Sequence, residues 1–594
     1  MKSTFFIGLF VTLILVASIL NTLLISNFYF IQNYTYINLA CCIGFSFAIK
    51  KILSNILKGE RFVISFNLID IAFIIIVIII SISFVFSKRY NVIYDPYLYY
   101  IILIASYFYL KNLLNNNKNI HVLLVIIVLF GLFEAIYALL QLIGLVANIY
   151  NYSIGGTYGN PGDLANLLVI TYSISLSLSF FESKKIRKLL FIVITTIQLL
   201  VIVLSFSRTA WIATFIVSAI IICHFLRSKI LSVLPKQKII TLSGFLSIVL
   251  FFGIASYHLY NMKLASADGR LFIWKLSTGI ISEKPVTGHG YGSFNTEIRE
   301  KQISYFKSHP LENENEMIAG EPMFAFNDFL QITIEYGIVA IFFLVVLLIS
   351  AFIFKSDNSY VFMARFAMIA IIICMFSSYP LENVSIGFIF IILLAICSAF
   401  TNNYSYQLYL NKVSLALILT FNLAFISFAA FHSLLDIKNG LKWKNAYSKI
   451  ESNIDLCKTE YDQISELLRH NKSFLLNYGS VLFIAKDYDQ CINHFEKSSY
   501  LYLGENPLLM LGESYEKTKN FKKAEENYLK SCNLVPHKFM SKYKLFKLYE
   551  LNHQLGKQIE VAEEIQLMKI KVFSEQVKQI KTQMNEFLSK NKTN

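Results

Sequence analysis

Apolar runs long enough to cross a bilayer recur along this chain, and they constrain its fold more than any motif does. A spanning helix needs about 20 apolar residues, with a working range of roughly 17–25. Runs of this kind lie at 5–24, 28–49, 65–86, 120–146, 163–181, 187–206, 208–226, 238–257, 333–354 and 413–432, with shorter or less clean ones at 94–110, 361–378 and 384–399. They predict an all-α, polytopic transmembrane protein of about 12–13 helices. Of the 594 residues, 56% are hydrophobic and 15% charged, against about 25% charged in soluble domains. Lipid therefore has to solvate much of the surface. The stretch 1–24 has no clear small-residue cleavage site and a second apolar run follows at once, so it reads as an uncleaved helix.

The net charge of +15 does not indicate nucleic acid, because the cations sit in short connections between apolar runs. Loops after the second, fourth, sixth and eighth helices hold fourteen Lys and Arg, whereas the odd-numbered loops up to the seventh hold three. Cytoplasmic loops retain positive charge. This asymmetry puts the N-terminus in the cytoplasm and the long polar interruption at 258–332 outside. With thirteen helices the C-terminal region is outside as well. The division that follows is 1–257 transmembrane, 258–332 extracytoplasmic loop, 333–436 transmembrane and 437–594 a separate helical domain, in a bacterial inner membrane with the loop and C-terminal domain periplasmic.

The last of these domains repeats. Gly479, Cys491, Phe495 and Ser498 recur 33 residues later as Gly512, Ala524, Tyr528 and Ser531, with Tyr515 and Pro536 completing the second copy and Tyr549 marking a weaker third. Small residues where two helices touch, aromatics in the groove and a closing proline are the tetratricopeptide pattern. Roughly three such units make a small α-solenoid, whose usual work is to bind a protein partner. The eight cysteines contain no CxxC pair and read as structural. No metal or cofactor is implied.

Arg208 is the most informative single residue. It lies in Ser205-Phe206-Ser207-Arg208-Thr209-Ala210-Trp211, between a run ending at Phe206 and another resuming at Ala210. A guanidinium at the membrane boundary is costly and usually functional. Ser205 or Ser207 can cap the helix that starts there, and the free N–H groups and positive dipole end add to the Arg charge. The combination suits an anion such as a diphosphate at the outer face. The outer loop supplies a second cluster, with Arg270 opening an amphipathic segment in which Phe272, Ile273 and Leu276 are able to lie along the membrane and Trp274 sits at the interface. The turn Pro285–Gly292, with Gly288, His289 and Gly290, lets backbone amides approach a ligand closely. Glu312, Glu314, Glu316 and Glu321 then make the loop acidic, and Glu134 interrupts an apolar run.

Several of these segments in order resemble the O-antigen ligase superfamily. They are Gly156-Thr157-Tyr158-Gly159-Asn160-Pro161, Ser205–Trp211, Gly269-Arg270-x-x-x-Trp274, Pro285–Gly292, and Asn327-Asp328-Phe329-Leu330-Gln331 with Glu335-Tyr336-Gly337-Ile338. The resemblance covers about 120–400. It implies a GT-C-like membrane fold and transfer of a glycan from a polyprenyl-diphosphate carrier to an acceptor hydroxyl on a lipid or protein, without cofactor or metal. Arg208 and Arg270 would neutralise the diphosphate leaving group. Ser207, Trp211, Asn160, Trp274, Gly288, Gly290, Asn327 and His309 would line the substrate site within membrane lipid. Many members carry a His where this chain has Phe326, so the general base is open among His289, His309, Asp328, Glu321 and Glu335. The family includes ligases, O-antigen polymerases and protein O-oligosaccharyltransferases, and a glycolipid transporter with a binding domain is the reading from a different class.

The charge asymmetry yields a direct test. A reporter fused after residue 300 should be active outside the cytoplasm and one fused near Lys184 inside it. The inverted pattern would take the proposed diphosphate site off the outer face.

Overall fold

The computed structural model describes residues 2–23, 35–36, 38–42, 45, 62–86, 94–114, 116–148, 152–233, 264–309, 314–400, 406–410, 412–469, 471–498 and 503–591. The apolar helices are α1 (Lys2–Leu23), α2 (Leu68–Phe86), α3 (Tyr94–Leu113), α4 (Asn117–Leu142), α5 (Pro161–Phe181), α6 (Lys185–Leu204) and α7 (Arg208–Val233). Beyond the polar loop helices α8 (Leu264–Glu283) and α9 (Phe294–Ser308) come α10 (Asp328–Ile353), α11 (Ser359–Met375), α12 (Val384–Ala399) and α13 (Lys412–Tyr447). Among the described residues, seven helices are long and apolar enough to cross a membrane and four more are apolar but shorter. Eleven of the thirteen expected runs are thus helices. The run at 238–257 lies outside the described residues, and so does most of that at 28–49.

The all-α expectation needs one small correction. A two-stranded antiparallel ribbon joins β1 (Phe62–Phe66) to β2 (Tyr406–Leu410), pairing Phe62 with Leu410 and Phe66 with Tyr406. Beside it a polar knot anchors α2, α3 and α12. Asp70 receives Lys111 Nζ at 2.5 Å, Tyr107 Oη at 2.6 Å and Ser398 Oγ at 3.0 Å. Asn67 reaches Ser398 as well. Lys111, one of the loop cations, is therefore buried and paired, as a charge at membrane depth must be.

α10 is not one continuous helix. Gly337 has φ 78° and ψ 179°, a region open essentially to glycine alone. A Cβ there would lie 1.9 Å from the Val286 carbonyl oxygen. The turn 285–292 fits into this break. The amides of His289 and Gly290 donate to the carbonyls of Ile334 (2.8 Å) and Glu335 (3.0 Å), and that of Ile338 donates to Pro285 (2.9 Å). Gly288, also at positive φ, has no room for a Cβ against the Glu335 carbonyl. The glycine turn thus clasps a helix break and spends these amides inside the protein.

Residues 264–309 and 314–334 form a compact layer on one face of the membrane helices. Phe272, Leu276 and Ile280 of α8 pack with Phe294, Ile298 and Phe306 of α9 and with Ile334. Phe272 and Leu276 therefore face this layer's own core rather than a bilayer surface, because α9 offers them an apolar partner. Trp274 Nε1 donates to the Ala325 carbonyl at 2.9 Å.

The C-terminal helices are α14 (Ile454–Ser465), α15 (Lys472–Ile484), α16 (Tyr488–Ser498), α17 (Glu505–Lys517), α18 (Phe521–Leu534), α19 (Phe539–Leu551), α20 (Leu555–Leu567) and α21 (Glu575–Asn591), each packed on its neighbour in sequence. Cβ atoms at Gly479 and Gly512 would strike the rings of Phe495 and Tyr528 at 2.3 and 2.5 Å, so the repeated glycine and aromatic meet at equivalent helix crossings. The boundary read at 436/437 falls inside α13. That helix continues to Tyr447, and its Trp443 is already core to this region, donating to Tyr461 Oη at 2.8 Å.

The C-terminal helices also dock on the loop layer. Gln302 of α9 donates to the Leu534 carbonyl and Arg299 to that of Leu503. The Glu505 amide donates to Glu321 at 2.7 Å. Both regions consequently lie on one side of the membrane helices.

The clasp predicts an asymmetry between glycines. Gly337→Ala should destabilise the detergent-solubilised protein by about 1–3 kcal/mol from backbone strain alone. Gly320→Ala, where a Cβ meets nothing within 4 Å, should leave the melting temperature unchanged. Equal melting of the two variants would contradict the clasp.

Candidate functional site

The site is built at the face where α5, α7, α10 and α12 begin. Each of these starts is fixed locally. Asn160 accepts from the Gly162 amide at 2.8 Å with Pro161 in the first turn of α5. Asn327 accepts from Leu330 at 3.1 Å, and Asn383 from Ser385 at 3.1 Å. At the start of α7, Phe206 turns the chain with φ 51° and the Ser207 carbonyl accepts from the Trp211 amide at 3.0 Å. Four positive dipole ends thereby share one face.

Arg208 and Arg270 meet there. Arg270 Nη1 donates to the Ser377 carbonyl at 2.6 Å, and Thr209, next to Arg208, shares a hydrogen bond with Ser377 Oγ at 2.7 Å. Burial, and then the neighbouring charge of Arg208, hold the Arg270 guanidinium below its ordinary value. No ion pair to a carboxylate forms at either arginine among the described residues. Two like charges brought together without a counter-charge create a field that an anion relieves. The Arg270 guanidinium also lies 4.9 Å from the ring centre of Phe326, a residue held at φ 51°.

Tyr379 completes this wall. Its ring stacks on Phe324 with centroids 4.2 Å apart and meets Phe326 edge-on at 5.4 Å. Its hydroxyl receives Asn160 Nδ2 at 3.3 Å and neighbours the Asp163 carboxylate. Burial, with the Asp163 charge, drives the phenol above its ordinary value. Neither Tyr379 nor Asp163 stood out in the sequence. The available signal was the polar stretch Ser377-Ser378-Tyr379-Pro380-Leu381-Glu382-Asn383 between two apolar runs.

The other residues singled out are distributed differently. Asn327 Nδ2 donates to the Phe376 carbonyl at 3.1 Å, so Asn327 borders the arginine site. Asp328 and Glu335 instead line an apolar cavity of about 160 Å³ between α2, α3, α10 and α12, together with Gln331 and Glu382, and neither arginine lines it. Asp328 accepts from the Leu381 amide at 3.2 Å, Glu335 from the Gly292 amide at 3.1 Å, and Glu382 from Gln331 at 2.6 Å. Glu134 accepts both the amide and hydroxyl of Thr157, at 2.9 and 2.6 Å, and holds the Gly156–Tyr158 turn. The indole nitrogens of Trp211 and Trp274 are spent on the carbonyls of Ile202 and Ala325.

Neither histidine reaches the arginines through a contact. His309 stacks on Tyr305, exposed at the end of α9. The His289 side chain is 4% exposed, with Nδ1 3.3 Å from Glu297 and Nε2 3.1 Å from the Ile280 carbonyl. On the opposite wall of the loop layer, Lys472 of α15 lies near Arg299 and Glu335; burial and then the Arg299 charge push its ammonium down to about 8.

Residues 191–345 match the family model described as O-Antigen ligase. The match runs from α6 into α10 and includes Arg208, Arg270 and the 285–292 turn, but not Asn160, Asp163 or Tyr379. No curated protein matches the chain.

The His289 contacts predict a pH effect on folding rather than on chemistry. The hydrogen bond that His289 donates to Glu297 raises the imidazole above its ordinary value. Stabilisation from the pair is complete below the unfolded value and is lost as pH rises through the folded one. From about pH 6 to about pH 9, the wild-type melting temperature should fall relative to that of His289→Gln. A parallel pair of curves would show that the contact is not an ion pair.

Proposed function

We propose that the chain transfers a glycan from a polyprenyl-diphosphate carrier to an acceptor hydroxyl at the outer face of the bacterial inner membrane, in the manner of O-antigen ligases. The observation that carries this reading is that Arg270, bonded to the Ser377 carbonyl, lies within reach of the Arg208 charge, with no carboxylate ion pair at either among the described residues. When the anomeric carbon leaves a diphosphate, negative charge grows on the phosphate oxygens. Fixed cations and helix starts aimed at that charge lower the barrier without reorganising. The O-Antigen ligase match over 191–345 supports the same chemistry.

The C-terminal helices, read as a tetratricopeptide-type solenoid, are a partner-binding region that does no chemistry. Their docking on the loop layer that also carries Arg270 favours a macromolecular acceptor or an assembly partner over a small diffusible one. Ligase, polymerase and protein O-oligosaccharyltransferase then differ only in what presents the hydroxyl. Reconstitution with an undecaprenyl-diphosphate glycan and either lipid A core or an acceptor protein separates them by which product becomes labelled. Glycan lengthened on its own carrier would identify a polymerase.

Arg208→Ala should lower transfer roughly a hundred- to a thousand-fold, the usual cost of one lost transition-state contact, while membrane insertion persists. Arg208→Lys should recover part of the rate, since the charge returns without the planar fork that grips two oxygens. Near-normal transfer by Arg208→Ala in the reconstituted assay would refute the diphosphate role.

A further inference from the structure

We infer that Tyr379, backed by Asp163, takes the proton from the acceptor hydroxyl during transfer. The inference rests on the transfer chemistry proposed above and supplies its missing base. Phe326 stands where many members of the resembling family carry a His, and a hydrocarbon ring accepts no proton. That ring is nevertheless in contact with both halves of the chemistry, lying 4.9 Å from the Arg270 guanidinium and 5.4 Å from the Tyr379 ring. The O–H···carboxylate pair is thus one side chain away from the cation that would hold the leaving group.

The hydrogen-bond inventory of Tyr379 fits a relay. A phenolic oxygen has one hydrogen and two lone pairs. One lone pair faces Asn160 Nδ2 at 3.3 Å, which fixes the hydroxyl at the start of α5, where the neighbouring Asp163 carboxylate would take its hydrogen. The second lone pair is left for an incoming hydroxyl. Stacking on Phe324 fixes the ring plane. Tyr379 and Asp163 are both partly exposed, whereas His289 is sealed in the loop layer with both ring nitrogens engaged. Asp328, Glu335 and Glu382 face the separate apolar cavity.

The step balances without a further reactant. The acceptor oxygen bonds to the anomeric carbon as the bond from that carbon to the phosphate oxygen breaks, and its electron pair passes to the diphosphate. The acceptor proton moves to Tyr379 Oη while the phenolic proton of Tyr379 moves to an Asp163 oxygen. Loss of the one extra proton from Asp163 to the released polyprenyl diphosphate or to water resets the pair. Tyr379 is the catalytic residue here, and Asp163, acting through it, is a positioning residue.

The test uses the full-length protein, an undecaprenyl-diphosphate glycan and whichever acceptor is labelled in the reconstitution above. Tyr379→Phe keeps the ring stack and Asp163→Asn keeps the side-chain shape, so both should retain wild-type elution and melting. For each, kcat should fall by about 10²–10⁴, the usual share of a general base, with the donor KM within about twofold of wild type. Azide attacks without a proton to lose, so adding it should restore donor turnover in both variants as glycosyl azide. It should not rescue Arg208→Ala, whose leaving group stays unsupported. Near-normal transfer by Tyr379→Phe, or a loss in a well-folded variant that azide does not restore, overturns the relay and leaves the arginine reading standing. Retained transfer in Arg208→Ala overturns that reading itself.

Discussion

A helix interrupted within a membrane protein must have its freed backbone groups answered by other protein, since lipid offers them no partner. At Gly337 the answer is the 285–292 turn, and much of the site's geometry depends on that match. The turn can enter only because Gly288 and Gly337 lack side chains where backbone meets backbone. Once clasped, the segment 328–336 is rigidly tied to the loop layer by backbone bonds at Ile334 and Glu335. Asn327 then reaches Phe376, and Asp328 reaches Leu381. Those contacts fix the 377–383 turn, which in turn receives Arg270 and Thr209. Two sequence motifs some fifty residues apart are therefore one structural device.

The arginine pair makes sense only in that setting. A single guanidinium at a helix start can snorkel to water and do nothing more. Two of them, one buried and set near the charge of the other, with no carboxylate ion pair among the described residues, carry a cost that the fold has to bear. Folding alone would favour separating them. Rigid anchoring of Arg270 to a carbonyl rather than to an acid keeps the full positive charge available to a ligand.

The sequence made the membrane helices legible because lipid imposes a length and a composition on each of them, and Arg208 was legible because it violates that composition at a boundary. Nothing comparable marks what was missed. The inward packing of Phe272 and Leu276 depends on α9, whose apolar face is only visible once both helices are placed. Gly288 and Gly290 look like a ligand-binding turn, since a glycine's freedom is the same whether it approaches a phosphate or another backbone. Tyr379 and Asp163 are more than two hundred residues apart, and each is ordinary alone. Lys111 reads as a loop cation in the sequence, yet it lies in the last turn of α3, and its burial against Asp70 could be read only from three dimensions.

The continuity of α13 carries the argument from site to architecture. A flexible linker at the expected boundary would let the C-terminal helices range freely over the membrane surface. Instead a helix of 36 residues runs from the apolar span to Trp443, which is packed against Phe474 and bonded to Tyr461. Midway along the same series of helices, at Leu534 and Glu505, Gln302 and Glu321 fasten it to the loop layer. Held at its start and again midway, the domain would place a bound partner at only one position relative to the loop. For a reaction whose donor is confined to the bilayer, such fixed placement reduces the orientational freedom that two macromolecular substrates would otherwise lose on meeting. On the proposed reading, chemistry would then be left to a few residues at the helix starts, and selection of the acceptor to a surface held in fixed relation to them.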